Sequence, residues 1–309
     1  MRGPATLLVV LVLGCATAPE RPAGQGAATT AAAAAASTSD AGPATASGTP
    51  TALGEVDALL AQSLPAWGGG VLRVERDDAV IFERAYGGYT VSDAVPIGSA
   101  TKLLSTLVIL SLVKDRTLGM ETPVRELVPE WPNDKAAITL RMLLAQTSGL
   151  PARSPCLETR ATTLPACVQE IARTPLRAAP GTAFIDGGAG FQVAGRMAEL
   201  ASGKPWALLM QTRLMDPLGF RSTGFGRTDN PRIAGGAQAN AAEYARALRQ
   251  LLPGPNPDLL SPELREAVLA DQSRGVPLAQ SAYALAPGRE SLRAGLGVYR
   301  DRVASDGRW

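Results

Sequence analysis

Ser99-Ala-Thr-Lys102 is the stretch whose residue types and spacing point most directly to chemistry. If it is helical, a hydroxyl and an amine three residues apart share one face, and the amine can reach the hydroxyl. Pro96-Ile97-Gly98 leads in as a turn, and Leu103–Lys114 follows. That following segment is apolar almost all round, through Leu103, Leu104, Leu107, Val108, Ile109, Leu110, Leu112 and Val113. A helix with no polar face belongs in a core. Lys102 is therefore expected at a buried site, where desolvation disfavours the ammonium and frees the amine to accept a proton near neutral pH. Ser99 would lie in the first turn, at the positive end of the helix dipole. The four residues alone leave a second reading open: a serine cap with a lysine turned to solvent.

The rest of the composition narrows the chemistry. The sequence has no histidine, which excludes a Ser-His-Asp triad, His-ligated zinc and a histidine general base. Lys+Arg 30 against Asp+Glu 28 leaves a formal charge of +2. Such a balance argues against nucleic acid, whose affinity comes from a clustered basic excess. Apolar residues at 46% and charged residues at 19% are near the globular average, so part of the chain should bury a core.

The elements that must position Ser99 and Lys102 begin near residue 51. Leu53, Val56, Leu59, Leu60 and Leu64 recur at helical spacing and stop at Pro65. Residues 70–76 and 79–84 read as strands joined by a turn at Asp77-Asp78. A helix followed by an antiparallel hairpin suggests helix packed on sheet. After the apolar helix, Gly119, Pro123, Pro129 and Pro132 break the chain into turns. Helices are expected at 138–145 (capped by Thr139 or its neighbour), 164–173, 189–202, 205–216, 240–252 and 261–272. No internal repeat is visible.

Residues 1–15 have the layout of an export signal: Arg2, an apolar run from Leu7 to Leu13, then Gly14-Cys15. The run is far shorter than the roughly 20 residues of a membrane span. Val12-Leu-Gly-Cys15 resembles a bacterial lipobox, which implies lipid attachment at Cys15, and Ala16 in the next position hints at the outer membrane. Residues 16–50 are rich in Ala, Thr, Pro, Gly and Ser. They have too little bulky apolar surface to offset the entropy of ordering, so a flexible tether is expected. Cys156 and Cys167 lie in a Pro- and Thr-rich insert. In an oxidising compartment they are expected to pair, the alternative being two unrelated thiols. Their spacing does not suit a zinc site.

Several stretches together resemble the β-lactamase-related serine hydrolases, which include class C β-lactamases, D-Ala-D-Ala carboxypeptidases and some esterases. Ile97-Gly-Ser-Ala-Thr-Lys-Leu103 is similar to their nucleophile motif. Leu118–Val124, Leu127–Trp131, Ile138–Leu150, Pro180–Phe184, Val193–Gly195 with Glu199, Pro217–Phe220 and Gly235–Ala237 are similar to later segments in order. The resemblance spans about residues 52–300. It implies an α+β fold of the β-lactamase/transpeptidase type, a helical cluster packed on an antiparallel sheet, over residues 51–309. It implies acyl transfer to Ser99 with Lys102 as its base, half of the oxyanion hole from the Ser99 N–H, and no metal or organic cofactor. The substrate would be a small molecule or a peptidoglycan-derived compound with an amide, β-lactam or ester carbonyl. The setting would be the periplasmic side of the cell envelope, with the membrane reached through the lipid anchor. The oligomeric state is not legible.

The chain departs from that family pattern at marked places. Gln146 stands where relatives usually have histidine. The second motif, Tyr-x-Asn, becomes Asp186-Gly187-Gly188. Asp186 could act as a base, could pair with Lys102 and hold it charged, or could be a turn residue before Gly-Gly. The third motif, Lys/His-Thr/Ser-Gly, is not found. Gly295–Tyr299 resembles the strand before it, and the sequence stops at Trp309. The expectation is a domain incomplete at its C-terminal strands, with an exposed sheet edge. These departures motivate a second function, a catalytically degenerate envelope lipoprotein that binds peptidoglycan fragments or a partner. A purely structural helical lipoprotein explains the tether but not the ordered run of family segments.

Overall fold

Each apolar run must find cover, and the computed structural model shows where it does. It describes residues 51–159, 161–254, 259–280 and 293–300, and the backbone of residues 7–13. Cys15, the expected tether at 16–50 and residues 301–309 lie outside the described residues. The chain divides into two compact units, Met1–Val91 and Ser92–Trp309. Among the described residues no helix is long and apolar enough to cross a membrane.

The first unit is an antiparallel sheet with helices. Its strands run in the order β1 (Leu7–Leu13), β2 (Gly70–Arg76) and β3 (Ala79–Tyr86). Asp77 and Asp78 both adopt positive φ, +50° and +65°, the geometry that a two-residue hairpin turn requires. The apolar run expected as the heart of an export signal is here strand β1, pairing Leu7 with Arg76 through Leu13 with Gly70. Hence β2 is a central strand, whereas the sequence suggested a bare hairpin edge. Helices α1 (Thr51–Gln62) and α2 (Leu64–Trp67) follow the expected stripe only in part. Leu53, Leu60 and Leu64 pack with Leu72, Val74 and Tyr86, but Val56 and Leu59 are exposed. At 100° per residue the first three fall on one line, and Val56 and Leu59 are rotated roughly 60° and 120° away from it.

The second unit is built round α3 (Thr101–Lys114), in which every residue from Thr101 to Leu112 is buried. Around it lie α4 (Val124–Leu127), α5 (Leu140–Leu144), α6 (Leu164–Arg173), α7 (Ala189–Ser202), α8 (Trp206–Met210), α9 (Asp216–Leu218), α10 (Ala241–Arg249) and α11 (Pro262–Leu269). The capping chemistry is local: the side chains of Thr139, Thr163, Asn240 and Ser261 accept N–H bonds from the first turns of α5, α6, α10 and α11. The single helix expected at 205–216 is instead α8, a wider π turn over Gln211–Met215, and α9, ended by Gly219 at φ +64°. Three two-stranded ribbons complete the unit. β4 (Val95–Pro96) pairs antiparallel with β6 (Gln238–Ala239), and β5 (Phe184–Ile185) parallel with β7 (Leu278–Gln280). β8 (Arg293–Ala294) pairs antiparallel with β9 (Tyr299–Arg300). The strand expected at Gly295–Tyr299 is thus mostly a turn, closed by Gly295 N–H donating to the Val298 carbonyl at 2.9 Å. With a helical cluster and an antiparallel sheet the fold is α+β, as the resemblance implied.

Candidate active site

Gly98–Ala100 forms a 3₁₀ turn that feeds directly into α3. Gly98 takes φ +51°, which a side chain would resist. The turn is held from several directions. Ile97 N–H donates to the Ala237 carbonyl at 3.0 Å, and Ala237 N–H donates to Thr101 Oγ1 at 3.1 Å. Tyr244 donates its hydroxyl to the Ala100 carbonyl at 3.1 Å, and burial pushes that phenol's pKa well up. Ser99 itself is exposed.

Lys102 is only 5% exposed, and its Nζ donates to Ser99 Oγ at 3.1 Å. The solvent-facing lysine is therefore excluded. Its ammonium also lies 3.5 Å from Asp186 Oδ1 and 5.9 Å from the centre of the Phe191 ring. Burial lowers the pKa of Lys102; the negative charge of Asp186 opposes this, and the net direction is downward. From behind, the 295–298 turn presses on the same helix. A side chain at Gly297 (φ +72°) would come within 2.5 Å of Thr106 Oγ1 and 3.1 Å of the Lys102 carbonyl.

Asp186 is delivered by the segment after β5. Gln146, 7% exposed, ends the α5 turn at φ +58°. Its carbonyl accepts the Ile185 N–H at 2.9 Å, and its Oε1 accepts the Gly187 N–H at 2.9 Å. It thus brackets Asp186 on both sides. Gly187 and Gly188 pass close to the 151–158 loop. A Cβ at Gly187 would lie 2.3 Å from Ala152 Cα, and Gly188 N–H donates to the Ala152 carbonyl at 3.0 Å. A Cβ at Gly188 would lie 3.0 Å from Leu157 Cδ1. A larger side chain there would require the Leu157 side chain to shift.

The beta-lactamase family profile matches residues 56–302. The chain belongs to the beta-lactamase family. A crystal structure of a beta-lactamase-like protein from Bacteroides dorei DSM 17855 is similar at 32% identity and a TM-score of 0.74, over 82% of this chain and 81% of that one. Lovastatin esterase of Penicillium rubens is 30% identical over 161 residues, 44% of this chain and 40% of that protein. Esterase EstB of Burkholderia gladioli is 27% identical over 193 residues, 54% of this chain and 49% of that protein. The matches thus span less than half the length of these two curated relatives.

In this beta-lactamase-family chain Ser99, Lys102 and Asp186 open onto one cleft of about 310 Å³. Ala152, Arg153, Leu157, Glu158, Arg232 and Gly235 are also part of its wall. Cys156 and Cys167 are disulfide-bonded as expected, which anchors the loop carrying Leu157 and Glu158 to α6. A buried polar network secures the same loop from the other side. Gln192 Nε2 donates to Asn230 Oδ1 at 2.7 Å and to the Pro231 carbonyl at 2.9 Å. Asn230 Nδ2 donates to the carbonyls of Cys156, 2.8 Å, and Thr159, 3.0 Å. Because both amides have their partners, burial costs little and the network specifies one loop position. Sequence reading missed Leu157, Gln192, Asn230 and Tyr244. No spacing rule links these residues across such chain distances. It noticed Gln146 only as a departure from the pattern.

Proposed function

We propose that this chain is a serine acyl hydrolase acting on an ester, β-lactam or other amide carbonyl. The observation that carries the reading is the 3.1 Å contact between a buried lysine amine and an exposed serine hydroxyl at the floor of a cleft. Ser99 Oγ attacks the carbonyl carbon, and its proton passes to Lys102 Nζ. The Asp186 carboxylate, 3.5 Å from the amine, stabilises the ammonium as it forms. The tetrahedral intermediate collapses, and the leaving alkoxide or amine takes the proton from Lys102. Water then attacks the acyl–Oγ ester and passes its proton to Lys102; the proton returns to Ser99 Oγ as the acid departs. The Ser99 N–H, where the 3₁₀ turn enters α3, is one donor for the oxyanion. In this reading Asp186 occupies the family tyrosine's place but acts through charge, since its carboxylate lies 3.5 Å from the amine.

Similarity to two esterases and to a beta-lactamase-like structure makes p-nitrophenyl esters and a chromogenic cephalosporin the first substrates to try, alongside a fluorophosphonate probe. The expected result is labelling and turnover that fall at least about 10³-fold in Ser99→Ala. A variant indistinguishable from wild type overturns the reading. Saturable muropeptide binding without turnover would instead support the degenerate binding protein. The lipobox-like Val12–Cys15 and the disulfide support export and lipid attachment at Cys15. Palmitate incorporation that disappears in Cys15→Ala tests this, and its absence from the wild type refutes it.

A further inference from the structure

A second cleft, of about 380 Å³, lies beside the first and shares Ala152 and Arg153 with it. Its other walls are Pro151, Arg177, Ile185 and Ala279. The partition between the clefts is thin: Ala152 is tied to Gly188 by the 3.0 Å bond described above. Ile185 borders the second cleft while Asp186, the next residue, borders the first. Among the described residues two arginines, Arg153 and Arg177, line the second cleft and no carboxylate does. Arg153 and Arg177 are exposed, and among the described residues neither forms an ion pair. Arg232, across the catalytic cleft, differs in lying 3.5 Å from Glu158. The loop carrying Arg153 is held by the disulfide-anchored insert that follows it. Arg177 is positioned by its N–H, which donates to the Gly149 carbonyl at 2.8 Å.

We propose that this second cleft is a subsite for a carboxylate on the substrate, bound between Arg153 and Arg177 while the scissile carbonyl lies at Ser99. The inference rests on the hydrolase reading and deepens it by naming a substrate class: carboxylate-bearing acyl compounds. Guanidinium groups suit this ligand because each can offer two parallel N–H donors to one carboxylate. A dicarboxylic acyl group offers a second carboxylate to the neighbouring cleft, and a simple acetyl group offers none.

The test compares p-nitrophenyl acetate and butyrate with p-nitrophenyl monoesters of succinate, glutarate and adipate. The full chain, Arg177→Gln, Arg177→Lys and the double variant Arg153→Gln/Arg177→Gln are assayed. Wild type is expected to favour one carboxylate ester over its neutral counterpart in kcat/KM, with the preference shrinking as salt is added. The preference should fall about two- to fivefold in Arg177→Gln and about tenfold in the double variant. Arg177→Lys should retain part of it. A ratio that is the same in wild type and double variant overturns the subsite while leaving the hydrolase reading intact. If no ester is turned over in a Ser99-dependent way, the hydrolase reading has failed, and a glutarate titration followed by NMR decides the subsite alone. Saturable shifts that are lost in the double variant support it, and their absence from wild type refutes it.

Discussion

Replacing Asp186 by asparagine removes one charge at nearly constant shape, and the consequences separate cleanly. Opposite unit charges 3.5 Å apart attract by about 5 kcal/mol at an effective dielectric of about 20. Both side chains are largely shielded, at 7% and 16% exposure, so solvent screening removes little of this. If the proton is about half transferred from Ser99 to Lys102 at the transition state, about 2.5 kcal/mol of that attraction is lost to the barrier. The plateau of kcat/KM should then fall roughly 70-fold. The pH profile should shift as well. Asp186 opposes the burial that lowers the Lys102 pKa, so neutralising Asp186 lets that pKa fall further. Protonated Lys102 cannot accept the serine proton, and the acidic limb of kcat/KM reports that protonation. The limb should therefore move to lower pH, and the deficit against wild type should narrow in acid. Ester hydrolysis measured from acid to neutral pH checks both effects. A plateau and limb that do not change, or a limb that moves to higher pH, would refute the assignment of Asp186 as the charge that serves Lys102.

Two further predictions concern the same centre. Lys102→Met combined with Asp186→Asn should abolish turnover yet raise the melting temperature, because a buried ion pair replaced by neutral groups sheds its desolvation cost. Below the folded-state pKa of Lys102 the wild type carries the full penalty, since the amine is protonated both folded and unfolded. Above the ordinary lysine value of 10.5 it is neutral in both states and the penalty is gone. The advantage of the double variant should accordingly be largest in acid and shrink as pH rises, and thermal melts across that range would show it. Gln146→Ala leaves the Gly187 N–H without its acceptor, at a cost of about 1–2 kcal/mol in stability. It should also lower kcat more than it alters KM and move the acidic limb the same way as Asp186→Asn, because Asp186 loses its bracket. An unmoved limb would make Gln146 merely structural.

What could be read from the residues was what depends on near neighbours. The apolar periodicity of 103–114 and the S-x-x-K spacing placed Lys102 on a buried helix with Ser99 within its reach, because a helix repeats every 3.6 residues whatever surrounds it; Ser99 itself lies in the 3₁₀ turn just before α3. Asp77-Asp78 announced the hairpin turn, and Thr139 the start of α5, through local backbone preferences. The helix at 205–216 was overextended because periodicity does not register a widened turn in its middle. At Gly295–Tyr299 the family resemblance implied a strand, where the chain instead makes a turn packed against α3.

The sequence by itself determined the candidate nucleophile and base, the helix that carries the base, the absence of histidine chemistry and the α+β class. Only the tertiary structure placed the Asp186 carboxylate 3.5 Å from the amine. It likewise decided that Gln146 brackets Asp186, that Leu157 packs beside Gly188 and that Arg153 is shared by two clefts. Such meetings join residues far apart in the chain. They follow from how the helices and loops pack, which no local period or propensity encodes.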